Sequence, residues 1–415
     1  MPALILLALL AASPTDGPVV ATPPEPTLAT SPFSIFNVHG LLQLQYLTVV
    51  RNDQPSPAET GFLLRRARVG VDGTVYSPRF GYRAELELAL GTLSPLDVYA
   101  EFKPTPRWSI RAGQVRVPYS RNWLISEENL AFAERSVATD EFRYDYDIGL
   151  LASASFVDDR LTASFGILNG AGRNAPANDN VDPLFVARVN GTIGGRAPLE
   201  EGDLALTRPP SVTIGGAATF DYVPEPAAYG FSSGSPVAPV PIVTHDTNMN
   251  GRPDGVRVLE LEGDLSFRWR GLALDGELYF RHEDWAEIGS AQPLASQFAP
   301  KHRFGGGFAQ ATYFIPAAHL QAGGRLALAE VSPLAVGGRK RAATSCIDLD
   351  GMPFPCALPL SDEVSELTLL VVGHWFGHGV QVTGMYSALR WRSDLPTAFP
   401  GTREQRFLAQ TQLAF

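Results

Sequence analysis

The chain has 415 residues, of which 45% are apolar and only 18% charged, with a formal net charge of −10. That negative balance argues against nucleic acid as a partner. No apolar run of about 18 residues exists, so no helix can span a bilayer. Gly (39) and Pro (34) are plentiful, as a chain with many turns requires. Only 3 of the 33 basic residues are Lys, so the positive charge is almost all permanent guanidinium.

The chain opens with MPALILLALLAAS, an apolar run too short to span and placed like the core of a signal peptide. A buried N-terminal helix is the alternative. The usual basic residues before the run are missing. Cleavage after Ala12 or Ala21 fits the small-residue pattern, and Ala21 avoids a Pro directly after the cut, so residues 1–21 are assigned as the leader. Residues 14–32 hold six prolines and almost no charge, which predicts a flexible tether over 22–38 before a barrel at 39–415.

Sixteen segments then alternate apolar and polar with a period of two: 39–50, 62–76, 80–91, 96–104, 107–117, 145–157, 160–169, 184–196, 211–222, 256–270, 271–285, 303–316, 319–331, 363–375, 378–392 and 404–415. VRVLELEGDLSFRW is the clearest, with Leu259, Leu261, Leu265, Phe267 and Trp269 on one face and Glu260, Glu262, Asp264 and Arg268 on the other. Most segments exceed ordinary globular strands, which average about five or six residues, and match the roughly 9–11 needed for a tilted transmembrane strand.

The links alternate short and long. SPR, TPR, VDD, PAA and FGH are short, and two segments abut at RWRGLA. Long links fall at 51–61, 118–144, 170–183, 223–255, 286–302, 332–362 and 393–403. Short turns on one rim and long loops on the other are the pattern of an outer-membrane barrel. Two links break it: 92–95 is short where a long one is due, and 197–210 is long where a short one is due. The fold class is therefore all-β, an antiparallel up-and-down transmembrane barrel of about sixteen strands. A soluble β-sandwich is the rival. The chain ends FLAQTQLAF, with Phe415, Leu413, Thr411, Ala409 and Phe407 on one face. A last strand must close against the first, because a lipid-exposed sheet edge has no water to satisfy it. The terminal Phe415 behind alternating apolar residues resembles the terminal signature of outer-membrane proteins, which implies a signal for the barrel assembly machinery.

Several stretches go further. FLLRRARVGVDGTVY, LDVYAEFKP, WSIRAGQVRVPYSR, LAFAERS, YDYDIGLL and FGILNGAGRN occur in that order over 62–174. The run resembles the phosphate-selective porin O and P family. The resemblance implies a water-filled channel in the outer membrane of a Gram-negative bacterium. It implies a homotrimer among the membrane lipids, with the 118–144 loop folded inward as a constriction. The implied solutes are small and hydrophilic, with inorganic anions such as phosphate or polyphosphate among them.

Alternation assigns nine inward cations (Arg66, Arg68, Arg83, Lys103, Arg111, Arg188, Arg268, Arg281, Arg325) against eleven inward carboxylates (Asp72, Glu85, Glu87, Asp97, Glu101, Glu260, Glu262, Asp264, Asp275, Glu277, Glu366). A balanced, wet lumen is the plainer expectation; a dedicated phosphate channel would carry a surplus of Arg and Lys. The candidate anion pathway is Arg66, Arg68, Arg83 and Arg111 on strands, with Arg121 and Arg135 in the loop. A non-conducting barrel with its external loops as receptor surface is the alternative function.

Three weaker signals remain. DTNMNGRPD places Asp246, Asn248, Asn250 and Asp254 at oxygen-ligand spacing for calcium, but Arg257 stands where a bidentate Glu is needed; a plain turn is the alternative. Cys346 and Cys356 would staple an external loop in an oxidising compartment, with a two-thiolate metal site as the rival. His374 and His378 lie four apart, about 13 Å on a strand, too far to share a metal unless the chain turns between them; Trp375 and Phe376 suit an interfacial aromatic girdle. No nucleophile, Walker, Rossmann or zinc-protease pattern points to catalysis.

Overall fold

The computed structural model describes residues 34–52, 59–89, 93–175, 177–178, 181–195, 198–224, 227–228, 231–232, 235–236, 240–241, 255–284, 303–331, 362–392 and 403–415. Sixteen strands form one closed barrel: β1 (Ile35–Arg51), β2 (Glu59–Thr74), β3 (Phe80–Glu87), β4 (Ser94–Thr105), β5 (Trp108–Arg116), β6 (Tyr146–Phe156), β7 (Leu161–Leu168), β8 (Leu184–Gly194), β9 (Ser211–Pro224), β10 (Gly255–Trp269), β11 (Leu272–Asp284), β12 (Arg303–Ile315), β13 (Leu320–Val331), β14 (Asp362–Trp375), β15 (Val380–Arg392) and β16 (Arg403–Ala414). Each strand pairs antiparallel with its chain neighbour. Every segment with a period of two is a strand, with ends moved by a few residues. Strand β1 begins at Ile35, so 35–38 belong to the wall and not to the tether. The leader and residues 22–33 of the tether lie outside the described residues.

Closure runs through β1 and β16, in register from Leu41 opposite Ala414 to Arg51 opposite Glu404. Gly40 and Phe415 exchange both backbone hydrogen bonds, at 2.9 and 3.1 Å. A Cβ on Gly40 would lie 2.6 Å from Phe415 Cζ, so the terminal ring covers the glycine on the outer face. An aromatic laid over a glycine in this way fills the gap a missing side chain leaves.

The alternation sorts faces as expected. Outward positions such as Leu42, Leu44, Leu259, Leu261, Leu265 and Leu413 are exposed, while inward Gln43, Gln45, Glu260, Glu262, Asp264 and Gln412 are buried. Exposed aromatics gather at both ends of the wall. Phe80, Phe102, Trp108, Trp269, Tyr313 and Trp375 mark the rim that carries both chain ends, and Phe62, Phe185, Phe220, Phe280 and Phe407 the opposite rim. Two such girdles flank the apolar band of a membrane barrel.

On the terminal rim the turns are tight. Arg270 and Gly271 join β10 to β11 with φ of 49° and 93°, the positive pair a two-residue hairpin demands. The exception is the link between β8 and β9, whose residues 198–207 fold inward: Glu201 and Asp203 are fully buried. From the opposite rim, the link between β5 and β6 also enters the barrel. It contains α1 (Arg121–Leu124), a 3-10 turn (Glu127–Asn129) and α2 (Val137–Phe142). Ser120 Oγ accepts from Trp123 N at 3.0 Å and Ser136 Oγ from Thr139 N at 2.9 Å, so each short helix is N-capped. Phe142 stacks on Tyr279 of β11 at 5.3 Å, within an apolar cluster shared with Phe308, Ala329 and Val364 of the facing wall. That burial gives the loop a fixed seat in the lumen.

Candidate functional site

The site starts from an irregularity in β2. Gln43 pairs with Arg66, but Leu44 pairs with Leu64, leaving Arg65 as an extra residue. Such a bulge breaks the alternation locally and re-aims a side chain. Arg65 therefore joins Arg66 and Arg68 on the lumen side. Its Nε donates to Glu134 Oε1 at 2.6 Å and its Nη2 to Glu134 Oε2 at 2.9 Å, a two-pronged pair with the inward loop. Strict alternation had missed Arg65; the Arg65–Arg66 doublet was the only sequence sign.

Glu127 is the loop's second anchor. It receives Arg68 Nη1 at 2.5 Å, Arg116 Nη2 at 3.0 Å and Arg135 Nη2 at 3.1 Å. Burial alone would raise its pKa; the guanidiniums of Arg116, Arg68 and Arg135 overcome that and hold it well below the usual carboxylate range. Burial opposes ionisation of Glu134 too, yet Arg65, Arg66 and the Gln45 amide bring it down to about 2. The Trp123 ring lies under three guanidiniums, those of Arg143 (3.9 Å), Arg116 and Arg135 (4.9 Å each).

The facing wall repeats the pattern. Arg188 bridges Glu262, at 2.9 Å, and Asp264. Arg281 meets Glu260 at 2.7 Å, and Arg325 meets Glu366 at 2.7 Å while donating to the loop carbonyls of Glu134 and Arg135. Glu277 accepts from Ser120 Oγ at 2.7 Å and from Asn122 N. The loop is thus tied to strands on both sides of the barrel.

These pairings revise the arginine track. All six candidates lie on the lumen side or in the loop, but each faces a carboxylate. Arg66 donates to Gln43 at 2.6 Å with Glu134 at 3.9 Å, and Arg68 pairs with Glu87 and Glu127. Arg83 meets Glu85 at 3.2 Å, Arg111 meets Glu101 at 2.9 Å, Arg121 meets Asp275 at 3.4 Å and Arg135 meets Glu127 at 3.1 Å. Arg66 and Arg68 are buried rather than bathed in water, with side chains only 7% and 9% exposed. The inward loop excludes solvent there, and a cation so desolvated needs a partner.

Glu201, in the inward terminal-rim segment, was not among the sequence candidates, although the surplus length of 197–210 was visible. His374 and His378 do come together, because residues 376–379 reverse the chain. Their rings are 5.8 Å apart, but His374 bonds Gln321 at 2.9 Å and His378 bonds Glu200 at 2.9 Å. No cluster fit for a metal occurs among the described residues. The calcium-like stretch, Asp246 to Asp254, and the pair Cys346 and Cys356 lie outside them.

Residues 36–182 match the model of the family phosphate-selective porin O and P. No curated protein matches this sequence. Solved structures with the same fold include the trimer form of OmpT from Vibrio cholerae (TM-score 0.54, 11% identity, covering 92% of this chain and 100% of that one). The outer-membrane channel DcaP of Acinetobacter baumannii aligns at TM-score 0.55 with 9% identity, covering 95% of this chain and 100% of that one. An anion-selective porin from Comamonas acidovorans aligns at 0.54 with 12% identity, covering 92% and 100%. From β1 to the loop after β7 the chain matches the phosphate-selective porin O and P family, and the described strands close into a sixteen-stranded barrel with the fold of these outer-membrane proteins.

Proposed function

We propose that the protein is a passive porin for small hydrophilic solutes, weakly charge-selective and not dedicated to phosphate. The carrying observation is the pairing of every candidate arginine with a carboxylate within 4.0 Å, on the inner face of a closed barrel. A phosphate must compete with those carboxylates for each guanidinium, so paired donors are not free to grip it. Channel work rather than catalysis is the reading that the family match and the fold support. Three barrels per functional unit, set among outer-membrane lipids after delivery by the assembly machinery, complete the proposal. The OmpT trimer form is the relative that suggests this assembly.

A second reading has its own support. The inward loop and residues 198–207 meet inside the barrel, as a plug would. Planar-bilayer recording of purified protein separates the two. A conducting porin opens in steps, grouped in threes for a trimer, and chloride current continues when phosphate is added. No conductance from a folded barrel establishes the plug reading. Block of the chloride current by phosphate overturns the general-porin reading in favour of an anion-binding channel.

A further inference from the structure

The terminal-rim segment 198–207 has no place in a simple barrel, where such turns are short. Its centre is Glu201, fully buried. Glu201 Oε2 accepts from the backbone N–H of Ala131 and of Phe132, each at 3.0 Å. Its Oε1 accepts from Asn122 Nδ2 at 2.6 Å and from Gln310 Nε2 of β12 at 3.1 Å. The Glu201 N–H donates to Asn129 O at 3.0 Å, and Gln321 Nε2 of β13 donates to Glu201 O at 3.3 Å. None of the carboxylate's four donors is a cation, and three of them come from the inward loop. Charge-assisted bonds to backbone N–H are among the strong ones, and losing them in a buried setting is costly.

The segment has its own footing. Asp203 accepts from Thr207 N at 2.9 Å, from Thr207 Oγ1 at 2.5 Å and from Gly271 N of the β10–β11 turn at 2.7 Å. Arg268 Nη2 donates to Glu200 O at 2.6 Å, and Glu200 Oε2 meets His378 Nε2 of the β14–β15 turn at 2.9 Å. Two neighbouring turns thus hold the segment while Glu201 holds the loop.

We propose that residues 198–207 are a strut built from the terminal rim, with Glu201 as the positioning residue that fixes residues 129–132 of the inward loop and so sets the width of the pore. This inference rests on the channel reading above. In Glu201→Ala, both acceptor oxygens are gone, so the N–H groups of Ala131 and Phe132 lose their partner.

The test compares purified full-length wild-type protein with Glu201→Ala by amide hydrogen exchange and by planar-bilayer recording. The expected result is roughly tenfold faster exchange over residues 129–133 in the variant, together with a single-channel conductance above wild type. Unchanged exchange in a folded Glu201→Ala barrel overturns the strut. Faster exchange at wild-type conductance overturns its control of pore width. Should Glu201→Ala fail to fold, Asn122→Ala, which deletes a single donor to the carboxylate, is read on the same two measurements. A wild-type barrel that does not conduct removes the porin reading, and exchange alone then decides whether Glu201 holds the loop.

Discussion

At the scale of residues, the lumen is organised by carboxylate–guanidinium pairs between loop and wall, and Arg65 with Glu134 is the most directly testable. Both side chains keep some exposure, 34% and 27%, so solvent screens the pair and its worth is modest. Arg65→Ala is expected to weaken docking of the loop by about 1–2 kcal/mol, read as faster proteolysis within 118–144 of the folded barrel. Glu134 also predicts the pH response. Its pKa falls from 4.5 to about 2, so the pair contributes fully above pH 4.5 and loses its contribution as pH drops from 4.5 toward 2. Glu127 is shifted in the same direction. Exchange protection around Glu127 and Glu134 should therefore be flat from pH 7 to 5 and decline only in that acid window. A decline that begins near neutral pH would contradict it.

At the scale of elements, β2 shows where a local rule stops. Alternation located the strand and put Arg66 and Arg68 on the inner face, because side-chain period is a property of the extended backbone alone. It could not find the bulge at Arg65, whose orientation depends on pairing with β1 and on Glu134 waiting in the lumen. Deleting Arg65 should restore an unbroken ladder between Leu64 and Arg66. The barrel is then expected to remain folded and heat-modifiable on gels while its loop becomes as protease-sensitive as in Arg65→Ala. Loss of the folded band would show that the bulge is needed for the wall itself. The inward loop was legible as a long insert with a family resemblance, but its seat was not. Phe142 finds Tyr279, and Ser120 finds Glu277, across more than 130 residues of chain.

At the scale of the whole molecule, the closing seam runs to the last residue. Phe415 makes the final two backbone hydrogen bonds of the barrel and covers Gly40. Removing Phe415, or replacing Gly40 with Val so that its Cβ displaces the ring, is expected to slow formation of heat-modifiable barrel without affecting synthesis. Pulse-chase assembly assays that give wild-type yields and rates for both variants would refute this. What the sequence by itself determined about this protein is the wall: sixteen strands, their order, the faces they turn to lipid and lumen, and the rim on which each link falls. Those follow from a two-residue period, from strand order and, apart from the links at 92–95 and 197–210, from link length, which neighbouring residues set between themselves. What only the tertiary structure decided is the interior: which carboxylate meets which arginine, that the arginines are paired rather than open to an anion, and that 198–207 rises to meet the loop. These depend on groups far apart in the chain, such as Glu201 and Gln310 or Arg121 and Asp275. They become neighbours only when the barrel closes, because a charge that the inward loop shields from water must take whatever partner the fold brings within reach.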